Sequence, residues 1–172
     1  MDFFDVIERR YSHKEKFLPT PVPIEHLEKL ATAGLLAPSG ANAQSVNLVL
    51  LPDREALNPI NEIIPHPGLD TAPAAIALLT DSSTQKSVIN FEIQDYSAAC
   101  ENIHLAATAM GYGSLWLDYP LFNEAVHDSV LKVLNAPEGF CLRVIIPIGL
   151  IDGQGSRREK LPLSTRLHYV KM

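Results

Sequence analysis

The sequence predicts a sandwich of the α+β or α/β class, with helices packed around one mixed β-sheet. Three observations predict it. Segments of helical periodicity alternate with short apolar runs of strand length. One long helical segment dominates the middle of the chain. Hydrophobic residues make up 47% and charged residues 20%, the balance of an ordinary globular protein. At 172 residues, the chain fits a single domain, 1–172, long enough to bury a real core. No repeat, low-complexity tract or linker divides it.

Residues 2–10 read as a short helix, with Phe3, Phe4, Val6 and Ile7 offering an apolar side. A proline-rich passage, 18–23, leads into an amphipathic helix over 24–36, where Ile24, Leu27, Leu30, Ala31 and Leu35 recur at helical spacing. Ala37-Pro38-Ser39-Gly40 stops it. Residues 46–51 form a strand, and Asp53 caps a short helix that Pro59 breaks. Residues 74–80 are apolar throughout, as a strand buried on both faces would be. The long helix runs from about residue 87 to 110, rich in alanine in its second half, and Gly111 and Gly113 end it. A short strand over 114–117 follows, then a helix over 124–134 with Asn123 as its N-cap. Residues 140–149 are the longest strand, and an irregular basic tail completes the chain.

The formal net charge of -6 and the pI near 5.4 argue against a nucleic-acid partner, since Lys and Arg are scattered except near the two ends. Cys100 and Cys141 are far apart in apolar surroundings and read as two buried, reduced thiols. The first residues carry charges every few positions, unlike a signal peptide, and apolar stretches such as 140–151 are too short or interrupted to span a bilayer. The expected compartment is therefore the cytoplasm, with no membrane partner.

Hydrolase and metal signatures are missing: no G-x-S-x-G, H-E-x-x-H, P-loop or strand-linked G-x-G-x-x-G. Gly111-Tyr112-Gly113 is a lone G-x-G after a helix. Glu101-Asn102-Ile103-His104 has a di-iron spacing, but its second copy and the further carboxylates are lacking. It reads as a partly exposed polar side of the long helix.

Two segments carry more chemistry. In Arg9-Arg10-Tyr11-Ser12-His13-Lys14, cations and a hydroxyl crowd into one turn. Such groups suit a phosphate, although a solvated basic helix end has the same composition. In Ala37-Pro38-Ser39-Gly40-Ala41-Asn42-Ala43-Gln44, small residues let a flat ligand approach the backbone while two carboxamides match a heterocycle's polar edge. An ordinary helix-to-strand connection would look alike.

Taken in order, these segments make the sequence resemble the nitroreductase family of flavoproteins. Its opening E-R-R-S-x-R or K-R-x-S-x-K segment is matched by Glu8 to Lys14, and its A-P-S-x-x-N-x-Q segment by Ala37 to Gln44. Asp70-Thr71-Ala72-Pro73-Ala74-Ala75-Ile76 is similar to the family's D-A-P-x-x-I. The central helix from Gln94 to Asn102, running on to Gly113-Ser114-Leu115-Trp116, and Pro147-Ile148-Gly149 with its basic tail complete the likeness. It spans about residues 7 to 168. Ser45-Val46 stands where the family has Pro-Trp, and the chain is short, without the added helices of longer members.

The resemblance implies an α+β, nitroreductase-like fold with the long central helix at a homodimer interface and FMN bound between the subunits. By position, Arg10, Tyr11, Ser12 and Lys14 would hold the flavin's phosphate and pyrimidine side. Pro38, Ser39 and Asn42 would come from the partner subunit. Leu117, Asp118 and Tyr119 would lie near the central ring, and Arg157, Arg158 or Lys160 would complete the phosphate grip. The implied activity is an NAD(P)H-dependent oxidoreductase reducing nitro, quinone or similar small organic acceptors. NADH or NADPH and then the acceptor would occupy one place in turn, in a ping-pong cycle. Flavin storage without turnover, or another flavin chemistry such as dehalogenation, azoline oxidation or flavin fragmentation, is the alternative.

Overall fold

The computed structural model describes residues 2–84, 88–153, 155 and 157–170. Four strands, β1 (Val46–Leu51), β2 (Ala74–Asp81), β3 (Gly113–Ser114) and β4 (Phe140–Gly149), form one sheet in the order β1-β2-β4-β3. All three pairings are antiparallel. The parallel component expected of a mixed sheet is confined, among the described residues, to an isolated bridge between Ser12 and Ser114. An apolar run such as β2 reports cover on both faces, and not strand direction.

That cover is present. Among the described residues, six α-helices pack around the sheet: α1 (Phe3–Arg9), α2 (Ile24–Leu35), α3 (Arg54–Ile63), α4 (Pro67–Thr71), α5 (Glu92–Ala109) and α6 (Glu124–Val133). Alternate β2 residues enter opposite cores. Ala75, Ala77 and Leu79 join Leu57 and Ile60 of α3, Leu69 of α4 and Val130 of α6. Ala74, Ile76 and Leu78 join Leu27 and Leu30 of α2 and Cys100 and Ile103 of α5.

The α+β class and most elements match the sequence reading, with four differences. Pro59 does not break its helix: α3 runs through it, because Asp53 caps the Ala56 N–H at 2.9 Å and Leu57 and Ile60 are fully buried. Burial of that face outweighs one missing backbone bond. The central helix begins at Glu92, with Phe91 as its N-cap residue; the expected start at Ser87 lies outside the described residues. Beyond Ser114 the short strand reduces to a bridge from Leu117 to Ile145. The five-residue α4, opened by Pro67, was not anticipated.

One irregularity re-aims a charge. The β2–β4 register shifts between Leu78 and Leu79, so Leu78 pairs with Val144 and Leu79 with Leu142, leaving Arg143 as the bulged residue. Its guanidinium turns to Glu92 at 2.6 Å and Thr80 at 2.8 Å, and lies 5.8 Å from the Tyr96 ring centroid.

Candidate functional site

The first wall of the site follows α1. The helix is opened by Asp2 in a capping box and ends at Arg10, whose extended backbone turns the chain along the sheet edge. Ser12 bridges to Ser114 there, and the His13 N–H donates to the Ser114 carbonyl at 2.9 Å. Beneath this strand, the Ser114 hydroxyl lies 2.7 Å from Nδ1 of His104, and the imidazole stacks on Trp116. Burial, reinforced by the nearby Arg10 charge, pushes the His104 pKa down to about 4. The ring is thus neutral near pH 7. It is buried and not part of the partly exposed polar side, which exposed Glu101, reaching Arg10 Nε at 3.2 Å, and half-buried Asn102 provide.

The second wall is the tail. Arg10, Tyr11, Ser12 and Lys14 share a cavity of about 470 Å³ with Arg157, Arg158 and Lys160. Five cations there face two carboxylates, Glu15 and Asp152, in a protein whose net charge is -6. Arg10 spends only Nε on Glu101 among the described residues, so its terminal nitrogens remain for a ligand. Lys14 also lies near His66, whose pKa is lowered first by burial and then by that ammonium. The two basic ends of the sequence therefore form one anion-attracting site.

The loop after α2 lies elsewhere. Ala41, Asn42 and Gln44 have φ of 51, 52 and 52°, the left-handed region that L-residues rarely occupy. Buried Asp95 in the opening turn of α5 holds the loop, accepting the Gly40 N–H at 2.7 Å and the Ser45 hydroxyl at 2.9 Å. Ser39 Oγ accepts the Gln44 N–H at 3.0 Å. Pro38 and Ser39 line a separate cavity of about 160 Å³ with Gln44 and Asp95, and Asn42 is exposed.

Residues 117–119 divide. Leu117 is buried, its N–H and carbonyl both paired with Ile145. Asp118 accepts the Trp116 indole N–H at 2.9 Å. Tyr119 is 81% exposed, packs edge-on to Phe122, and lines a third cavity of about 570 Å³ beside Ile63 and Pro65. One chain thus unites Arg10, Tyr11, Ser12, Lys14 and the three tail cations, and leaves Pro38, Ser39, Asn42 and Tyr119 apart from them.

Sequence reasoning missed the roles of Asp95 and Arg143, and it placed His104 on a partly exposed side of the helix when it is buried. The available signals were an acid in a helix's opening turn, a histidine amid apolar residues, and an arginine inside an apolar strand. Cys100 is buried as expected, but Cys141 is half-buried, its sulfur 3.6 Å from His127 Nε2. Among the described residues, no three His, Cys, Asp or Glu gather as a metal site, and no helix is long and apolar enough to cross a membrane.

Comparisons with known proteins agree on one family. A sequence model described as the nitroreductase family matches residues 7–66 and 63–150. A relative from Methanothermobacter thermautotrophicus, named as a candidate NADH dehydrogenase/NAD(P)H nitroreductase, is 32% identical over 174 aligned residues, covering 99% of this chain and 88% of the relative. The crystal structure of a protein so named from Bacteroides thetaiotaomicron superposes with a TM-score of 0.84 at 30% identity, covering 97% of this chain and 96% of that one. A candidate nitroreductase from Desulfovibrio desulfuricans, crystallised in complex with FMN, shares the fold with a TM-score of 0.84 at 22% identity, covering 100% of this chain and 98% of that one.

Proposed function

The chain belongs to the nitroreductase family, and from that premise we propose that it is an FMN-dependent oxidoreductase that takes hydride from NADH or NADPH and reduces small organic acceptors such as nitro compounds and quinones. The observation that carries the cofactor assignment is the cavity where Arg10, Lys14, Arg157, Arg158 and Lys160 converge. A phosphate monoester brings about two negative charges, and a net-acidic protein must gather cations locally to receive it. Those residues fit the group.

When bound, the flavin supplies the uptake of hydride from the nicotinamide and its delivery to the acceptor. This chain's residues do the rest. Arg forks and the Lys14 ammonium would pair with the phosphate and offset its charge. Ser12, fixed by its bridge to Ser114, adds a hydroxyl at the same wall. The Trp116 indole holds the Asp118 carboxylate, and the Asp118 and Tyr119 backbone N–H groups have no acceptor among the described residues. They are the donors this stretch offers to a ring, since the Leu117 N–H is already spent on Ile145.

The Pro38–Asn42 loop would close the site from a second subunit, so the working unit is a homodimer with FMN at the interface. Support comes from the separation of the two cavities within one chain and from exposed apolar side chains on α1, α5 and the tail, among them Phe3, Phe4, Ile93, Leu161 and Leu163. The test is the absorbance spectrum of the purified protein before and after anaerobic addition of NADH or NADPH. A yellow flavin band that bleaches is expected. A colourless protein that takes up no added FMN overturns the assignment, and a yellow one that neither nucleotide bleaches reduces it to flavin storage.

A further inference from the structure

Among the described residues, the two walls of the anion cavity come closest where Gly155 packs on Tyr11. A Cβ built on Gly155 would collide with Cζ, the hydroxyl oxygen and Cε2 of Tyr11. The Gly155 backbone therefore lies against the phenol, and a side chain there would have to displace the phenol tip. The Tyr11 hydroxyl lies 3.3 Å from His13 Nδ1.

His13 is itself fixed. It is buried, its Nε2 is 3.1 Å from the Lys16 carbonyl, and its ring packs edge-on to Phe17. With the proton on Nε2, the imidazole donates to Lys16 and accepts from Tyr11. Hydrogen bonds then run from Tyr11 through His13 to the Lys16 backbone, with Gly155 packed against the phenol at their head. Residues 157–160 are exposed, and among the described residues the Arg157 guanidinium reaches only the exposed Glu8 carbonyl, at 3.2 Å.

We propose that Tyr11 is a positioning residue, which docks Gly155 and so holds Arg157, Arg158 and Lys160 opposite Arg10 and Lys14 across the anion site. The inference rests on the phosphate reading above and deepens it: the latch sets how strongly the protein prefers a phosphorylated flavin to an unphosphorylated one. Free tail cations would still attract an anion, but each would lose side-chain and backbone freedom on binding it. A docked tail has lost part of that freedom beforehand.

The experiment measures FMN and riboflavin affinities by equilibrium dialysis for the wild type, Tyr11→Phe and Gly155→Ala, together with the rate of tryptic cleavage at Arg157 and Arg158 without flavin. Tyr11→Phe keeps the ring and loses the neutral hydrogen bond to His13 that fixes it, so FMN binding should weaken roughly two- to tenfold. Gly155→Ala can dock only by displacing the phenol and so loses aligned charge-assisted bonds, and FMN should weaken about ten- to a hundredfold. Riboflavin affinity should stay unchanged in both, while tryptic cleavage accelerates. A wild-type preference for FMN that survives both substitutions overturns the latch alone. Equal losses for the two flavins also overturn it, by making Tyr11 a support of the fold. A wild type that binds both flavins alike overturns the phosphate reading itself, and the inference with it.

Discussion

Arg10 stands between two negative partners, the Glu101 carboxylate it touches and the phosphate assigned to the cavity it lines. Glu101 is half exposed, so its pair contributes little to stability. A phosphate held by a guanidinium fork is worth about 1.5–3 kcal/mol per charge-assisted bond. Arg10→Ala should therefore weaken FMN roughly ten- to a hundredfold, leave riboflavin unchanged and barely shift the unfolding midpoint in urea. Parallel losses for both ligands would place Arg10 in the fold and not at the phosphate. His104 is a second residue whose chemistry follows from its surroundings. Its folded pKa is depressed from 6.5 to about 4, so between those values the unfolded chain takes up a proton that the folded chain refuses. Its stabilising contribution is complete above about 6.5 and is lost as pH falls towards 4, at up to about 1.4 kcal/mol per pH unit. Comparing urea unfolding at neutral and mildly acid pH for the wild type and His104→Phe tests this; the variant should show a shallower loss, and an equal slope would assign the acid sensitivity elsewhere.

Among the elements, β1 and β4 were legible to the residue, because β-branched and apolar runs bounded by polar or turn residues leave few alternatives. The α3 helix was not, because the rule that proline ends a helix is local and the burial of Leu57 and Ile60 is not. The 37–44 loop was legible as a small-residue segment but not in its conformation. Ala41 and Gln44 carry no bias towards positive φ, and what holds them there is Asp95, some fifty positions away on α5. Asp95→Ala would leave the Gly40 N–H and the Ser45 hydroxyl without their acceptor, at about 2–4 kcal/mol by the cost of unsatisfied buried donors. Chemical denaturation should show that loss, and FMN affinity should fall with it. An undiminished midpoint would mean the loop holds its own shape.

At the scale of the whole molecule, the sequence places its two basic segments about as far apart as the chain allows, and only the fold brings them together. Seeing that Arg10 and Arg157 share a cavity required knowing that the tail returns past α1. The resemblance supplied that pairing; composition and periodicity did not. The same scale decides assembly. Phe3 and Phe4 of α1, Ile93 of α5 and Leu161, Leu163, Tyr169 and Val170 of the tail are all exposed, a distribution that a second copy would cover. An obligate interface of this kind should bury more than about 2,000 Å². Sedimentation at micromolar concentration should give a dimer, and a monomer with flavin still bound would overturn the shared site.

Trp116 is the only tryptophan in the chain. It sits with ring centroids 6.1 Å from Tyr96 and 6.3 Å from His104, and its indole N–H is bonded to Asp118. Intrinsic fluorescence excited at the indole therefore reports from one place in the protein. A cofactor that absorbs where tryptophan emits would dim it by energy transfer, and a protonated His104 would dim it by contact quenching. The protein thus carries its own optical probe at the edge of the site, able to follow cofactor loading near neutrality and imidazole protonation in acid without any added label.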